Sequence, residues 1–115
     1  MRIGVPKEIK ILENRVGLTP GSVRELVHHR HQVTVQQGAG EGIGAGDADY
    51  EREGATMMPS ATDIFASCDM IGKVKEPQPA EREMLGPGQI LFTYLPPATD
   101  PYQPPHLRPV HVAVP

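Results

Sequence analysis

The sequence predicts an α/β domain, a parallel sheet between two layers of helices, on three observations. Short β-branched segments alternate with helix-like segments through residues 1–95, each junction carries a proline, a glycine or a capping side chain, and the apolar spacing switches between two and three-to-four residues. Parallel strands need crossover connections, and helices supply them. The 115 residues leave room for one domain with a modest core.

Arg2-Ile3-Gly4-Val5 has the character of a strand, stopped by Pro6. Thr19-Pro20 combines a side-chain cap with proline at the first helical position, so a helix should run from Pro20 to about His29. Within it Val23, Leu26 and Val27 form the apolar stripe that faces a sheet, while Arg24, Glu25 and His28 point outward. Val33-Thr34-Val35 alternates as a second strand. Asp47 or Asp49 is the expected cap of a short helical turn through Tyr50 and Glu53, ended by Gly54, and Ser60 or Thr62 of another leading into Ile64 and Phe65. Residues 69–74 read as a strand closed by Glu76-Pro77, residues 80–85 as a short helix, Gly86-Pro87-Gly88 as a turn, and residues 89–95 as the most apolar strand.

Beyond Leu95 the character changes, because seven of the thirteen prolines fall in the last twenty residues. Proline removes a donor and clashes with the preceding turn, so residues 96–109 cannot be helical. Residues 110–114 regain alternation as a candidate last strand. The expected organisation is a folded unit over 1–95 and an irregular, proline-rich tail over 96–115.

A net charge of -3 with interleaved signs gives no footprint for nucleic acid. No apolar run reaches the roughly 18 residues of a membrane span, and the chain opens on a strand instead of a signal segment, so a cytoplasmic protein is expected. Cys68, the one cysteine, has no partner for an internal disulfide and is read as a buried core thiol without chemistry. His28, His29 and His31 cluster at a helix end while His106 and His111 lie in the tail, and no metal site is expected from them.

Gly38, Gly40, Gly42, Gly44 and Gly46 follow a strand, yet their even spacing never satisfies GxGxxG, so they are read as a flexible turn with positive-φ positions. Arg15 lies between the first strand and the first helix, where open α/β sheets place ligand-binding loops. From its position it is either a solvated surface arginine or a clamp for a carboxylate, which guanidinium grips with two parallel hydrogen bonds. Lys75 follows the third predicted strand and puts a second cation at the same edge. Lys73 and Lys75 share a face if that strand is regular, so alternation does not choose between them.

Met1-Arg2-Ile3-Gly4-Val5-Pro6-Lys7-Glu8, then Glu13-Asn14-Arg15-Val16 and Leu18-Thr19-Pro20, resemble the start of the alanine dehydrogenase and pyridine nucleotide transhydrogenase family. Gly38-Ala39-Gly40-Glu41-Gly42, Lys73-Val74-Lys75-Glu76-Pro77 and the strand from Gly88 through Leu95 continue the likeness in order, over residues 1–95. The last two segments are more similar to alanine dehydrogenases than to transhydrogenase α subunits.

The resemblance implies an N-terminal, substrate-side part of an NAD-dependent alanine dehydrogenase, which converts L-alanine to pyruvate and ammonia. By position, Arg15 would bind the substrate carboxylate, and Lys75 would bind and polarise its carboxylate or carbonyl oxygen. Where the family has its acid–base histidine, this sequence has Pro96, which cannot transfer a proton. No residue is therefore expected to be catalytic, and the tail is expected to be divergent or truncated. The family's Rossmann domain is expected to be absent, so no NAD is expected to bind this chain alone. The family hexamer, or a missing nucleotide-binding chain, is the implied partner besides L-alanine or pyruvate. The other readings are a non-catalytic small-carboxylate binding module and one part of a split enzyme or transhydrogenase subunit.

Overall fold

The computed structural model describes residues 1–10, 13–93 and 111–113. Strand β1 (Arg2–Val5) leads to helix α1 (Pro20–His28), strand β2 (Gln32–Gln36), a three-residue 3-10 turn (Glu41–Ile43), helix α2 (Asp47–Arg52) and strand β3 (Thr56–Met58). Helix α3 (Ala61–Ser67), strand β4 (Met70–Lys73), helix α4 (Pro79–Met84), strand β5 (Ile90–Thr93) and strand β6 (His111–Ala113) complete it. The spatial order is β3-β2-β1-β4-β5-β6, with β1 to β5 mutually parallel and β6 antiparallel at the edge.

Two cores flank the sheet, giving the three layers that alternation predicts. Ile3, Val5, Val33 and Val35 pack with Val23 of α1 and Tyr50 of α2. On the other face Ile71 and Leu91 pack with Ile64 and Phe65 of α3. The two faces share β1 because its side chains alternate: Ile3 and Val5 join the first core, and Gly4 lies against Ile64 and Cys68. Cys68 is buried, and its surroundings push the thiol pKa up, chiefly by desolvation.

Helix α1 starts as its capping signal requires, with the Thr19 hydroxyl accepting from the Ser22 N–H at 3.2 Å. The starts of α2 and α4 differ from expectation, and that of α3 settles between the two expected caps. Gly46, not Asp47 or Asp49, caps α2; Asp49 accepts back from the Gly46 N–H at 2.9 Å, while Asp47 accepts from the Gly38 N–H at 2.9 Å. Ser60, not Thr62, caps α3. Helix α4 begins at Pro79, one residue early, because proline suits the first helical position. Strand β3 escaped the sequence reading: of its three residues at a sheet edge two are methionine, Thr56 is the one β-branched residue, and so short a run shows no alternation.

The candidate strand over 110–114 is present as β6 within the described residues. The remainder of the tail, including Pro96, and the end of the predicted strand at Tyr94 and Leu95 lie outside them. Among the described residues no helix is long and apolar enough to cross a membrane.

Strand order reverses between β1 and β4: from β1 the chain proceeds outward through β2 and β3, and from β4 it proceeds the other way through β5. Loops leaving the carboxyl ends of two such strands diverge and open a crevice, the usual place for a ligand in an open parallel sheet.

Candidate functional site

The loop after β1 carries Lys7, Glu8, Glu13, Asn14 and Arg15, and with Gly38, Ala39, Glu41 and Gly42 from the loop after β2 it encloses an open cleft of about 290 Å3. This volume suits a small organic acid and lies at the lower end of ordinary ligand pockets.

Two close backbone approaches fix the Arg15 segment. A Cβ on Gly42 would lie 2.1 Å from the Asn14 carbonyl oxygen, and one on Gly17 would lie 2.4 Å from the Gly72 carbonyl oxygen. Only glycine admits either approach, so the segment is held against the glycine loop on one side and β4 on the other. The positive-φ expectation holds at Gly38 and Gly44, whereas Gly40 and Gly42 serve close packing.

The Glu13 carboxylate organises the cations. Its Oε2 accepts from the Arg15 backbone N–H at 2.8 Å and from Nε at 3.0 Å, and its Oε1 accepts from Nη2 at 2.9 Å. Lys75 Nζ stands 4.0 Å from the same Oε1. The Glu13 side chain is 3 % exposed, whereas those of Arg15 and Lys75 are 57 % and 30 % exposed, so the acid is enclosed and the bases reach outward. The hydrogen bond from Arg15 holds the Glu13 carboxyl below its ordinary range, against the opposing effect of burial. Arg15 and Lys75, singled out from sequence, are thus brought together.

Lys73 is the lysine that points inward. Its side chain is 1 % exposed and lies 3.1 Å from Glu8 Oε1 and 2.9 Å from Glu81 Oε2. The contact with Glu8 is a hydrogen bond, and that with Glu81 is ionic without hydrogen-bond alignment. Glu8 also accepts from the backbone N–H groups of Val74 at 3.1 Å and Lys75 at 3.3 Å. The acid therefore fixes the segment on which Lys75 stands. Alternation left the two lysines equivalent, but β4 ends at Lys73 and no longer governs the direction of Lys75.

A pair between Lys10 and Glu76 ties the loop after β1 to the loop after β4, and Lys7 faces Glu41 across the cleft mouth at 3.9 Å. Burial is the largest influence on Glu76 and opposes its ionisation, but the Lys10 hydrogen bond, a backbone hydrogen bond and the charges of Lys10 and Lys75 together outweigh it and keep the carboxyl low.

Glu8, Glu13 and Lys73 were not singled out as site groups from sequence. Lys73 did leave a signal, since a charge between Ile71 and Val74 in a strand covered on both faces demands a partner. The partner's identity leaves none. The glycine loop does not fit a dinucleotide, because it leads into the 3-10 turn Glu41–Ile43 instead of a long helix, and that turn begins with an acid. Among the described residues no cluster of three or more His, Cys, Asp or Glu side chains can hold a metal.

Residues 4–112 match the family described as alanine dehydrogenase/PNT, N-terminal domain. An alanine dehydrogenase of Halomonas elongata is 52% identical over 95 residues, which are 83% of this chain and 26% of that protein. One from Bacillus subtilis is 46% identical over 101 residues, 88% of this chain and 26% of that protein. A solved L-alanine dehydrogenase superposes with a TM-score of 0.79 at 54% identity, over 83% of this chain and 26% of that one. A transhydrogenase from Sinorhizobium meliloti superposes with a TM-score of 0.77 at 28% identity, over 89% of this chain and 28% of that one. The chain spans about a quarter of the length of the relatives it matches.

Proposed function

The chain belongs to the family of alanine dehydrogenase and transhydrogenase N-terminal domains, and on that premise we propose that it is the substrate-side domain of an NAD-dependent alanine dehydrogenase, binding the carboxylate of L-alanine or pyruvate. The observation that carries this reading is the convergence of Arg15 and Lys75 on Glu13 at the point where strand order reverses.

Arg15 binds the substrate carboxylate through its outer N–H groups. Lys75 donates to a carboxylate or carbonyl oxygen; stabilising the charge there makes the adjacent carbon a better hydride acceptor. These residues supply binding and polarisation, and Pro96 supplies no acid–base group. Residues 1–95 form the substrate domain in this reading, and 96–115 a divergent segment. NAD chemistry requires residues other than these, and the parent reaction is placed in the cytoplasm, in amino-acid breakdown, within a homo-oligomer or beside a separate nucleotide-binding chain.

Calorimetry of the 115-residue chain with pyruvate and with L-alanine tests the binding reading. Binding that disappears in Arg15→Ala is expected, and its absence in the unaltered chain overturns the proposal. A parallel assay of NAD reduction with L-alanine, with and without a separately prepared nucleotide-binding domain of the family, separates the enzymatic outcomes. Activity only in the mixture identifies a split enzyme, and binding without activity in either identifies a small-carboxylate module. Activity of the chain by itself contradicts the assignment of binding and polarisation alone.

A further inference from the structure

Glu13 stands between the two cations assigned to substrate and is almost completely enclosed. It takes one edge of the Arg15 guanidinium, Nε and one N–H of Nη2. A guanidinium has five N–H donors in a fixed fork, so the outer edge formed by Nη1 and Nη2 is left for one further carboxylate. Arg15 and Lys75 contribute two positive charges and Glu13 one negative, so the trio carries one positive charge. The other charged groups of the cleft add none of that sign. Lys7 faces Glu41, and Glu8 shares Lys73 with Glu81, a buried group of three with one net negative charge behind the wall.

We propose that Glu13 is a positioning and selectivity residue that makes this site accept monocarboxylates and reject dicarboxylates. This rests on the reading of Arg15 and Lys75 as the carboxylate-binding pair. One substrate carboxylate neutralises the site. A second places an unmatched anion beside the enclosed Glu13 oxygens and the Glu8 group, where charge is poorly screened. Without Glu13 the same two cations would suit a diacid. The acid thus acts in two ways, orienting the guanidinium for end-on binding and removing the charge that would attract a second carboxylate.

The test is calorimetry of the 115-residue chain with pyruvate and with freshly dissolved oxaloacetate, which differ by one carboxylate. The unaltered chain should prefer pyruvate by about tenfold or more. Glu13→Gln should reduce that preference by about tenfold, and Glu13→Asp, which keeps the charge, should retain it. The Nε–H resonance of Arg15 in a proton–nitrogen correlation spectrum should move in Glu13→Gln, reporting loss of the ionic contact. Equal affinity of the unaltered chain for the two acids overturns the proposal even if the Gln variant fails to fold. An unchanged preference in a folded Glu13→Gln whose Arg15 resonance has moved also overturns it. If Arg15→Ala then still abolishes pyruvate binding, the carboxylate-binding reading survives; no pyruvate binding by the unaltered chain overturns both.

Discussion

Glu8 and Lys73, 65 positions apart in the chain, meet at 3.1 Å where both side chains are removed from solvent. The pair joins the loop after β1 to the last residue of β4, and the same carboxylate receives the Val74 and Lys75 N–H groups. One acid that lines the cleft thereby also holds the segment that carries Lys75.

Removing Lys73 leaves Glu8 and Glu81 buried without their shared cation. Lys73→Met should therefore lower unfolding stability by about 3–5 kcal/mol in urea titration. Lys75→Met removes a partly exposed lysine and should cost less than about 1 kcal/mol, while weakening pyruvate binding. Equal destabilisation by the two changes contradicts this assignment of inner and outer lysines.

Gly42→Ala introduces a methyl that would lie 2.1 Å from the Asn14 carbonyl oxygen, so the Arg15 segment must shift. Overpacking of this kind costs about 1–3 kcal/mol. Pyruvate affinity should fall with it by about tenfold, because displacing a clamp spoils its alignment. Gly86→Ala has open space around the added methyl and serves as the control, with stability and affinity close to those of the unaltered chain.

Arg15→Lys keeps the charge and discards the fork. Lysine cannot hold Glu13 on one edge and a substrate carboxylate on the other, so pyruvate affinity should fall by about ten- to a hundredfold. Thermal unfolding should change little, since the Arg15 side chain is 57 % exposed. An affinity within twofold of the unaltered chain would show that charge alone suffices.

The depressed carboxyl of Glu13, held ionised chiefly by its hydrogen bond from Arg15, ties stability to pH. In the unfolded chain the group returns to about 4.5, its ordinary value. Its contribution is thus fully present above 4.5 and is lost as pH falls through the lower folded value. Urea midpoints measured downward from pH 6 should decline below that point, and less steeply in Glu13→Gln.

Tyr50 gives the opposite end of the titration. Burial pushes its phenol up to about 12, and the hydroxyl donates to the Leu18 carbonyl at 2.7 Å. Because the folded chain resists ionisation, the stability this group contributes is present below its ordinary value of 10 and is lost as pH rises toward 12. Ultraviolet titration should resolve a late-ionising tyrosine that Tyr50→Phe removes. That variant should lose about 1 kcal/mol, as the Leu18 carbonyl gives up a partner.

The elements were legible where local chemistry is decisive. Thr19-Pro20 announces a helix whatever lies around it, and Gly54, at a φ of 102°, ends α2 as read. The Asp47 and Asp49 reading failed for a local reason too: either acid can cap from sequence, and the nearby Gly38 N–H claimed Asp47. Strand β3 was hidden because its pairing with β2 supplies what its own three residues do not.

For the site, the residues by themselves gave the edge of the sheet and the cations that stand at it, and the family resemblance singled out Arg15 and Lys75 among them. Proline, glycine and β-branched side chains set where strands end, which places Lys75 just past β4 and Arg15 in the loop after β1. Only the tertiary structure decided that Lys73 turns inward and Lys75 outward, that Glu8 and Glu13 are their counter-ions, and that the glycine loop forms a wall. A charge says nothing in one dimension about which opposite charge will meet it. That choice follows from strand order and from how closely backbones approach, and both depend on the assembled sheet.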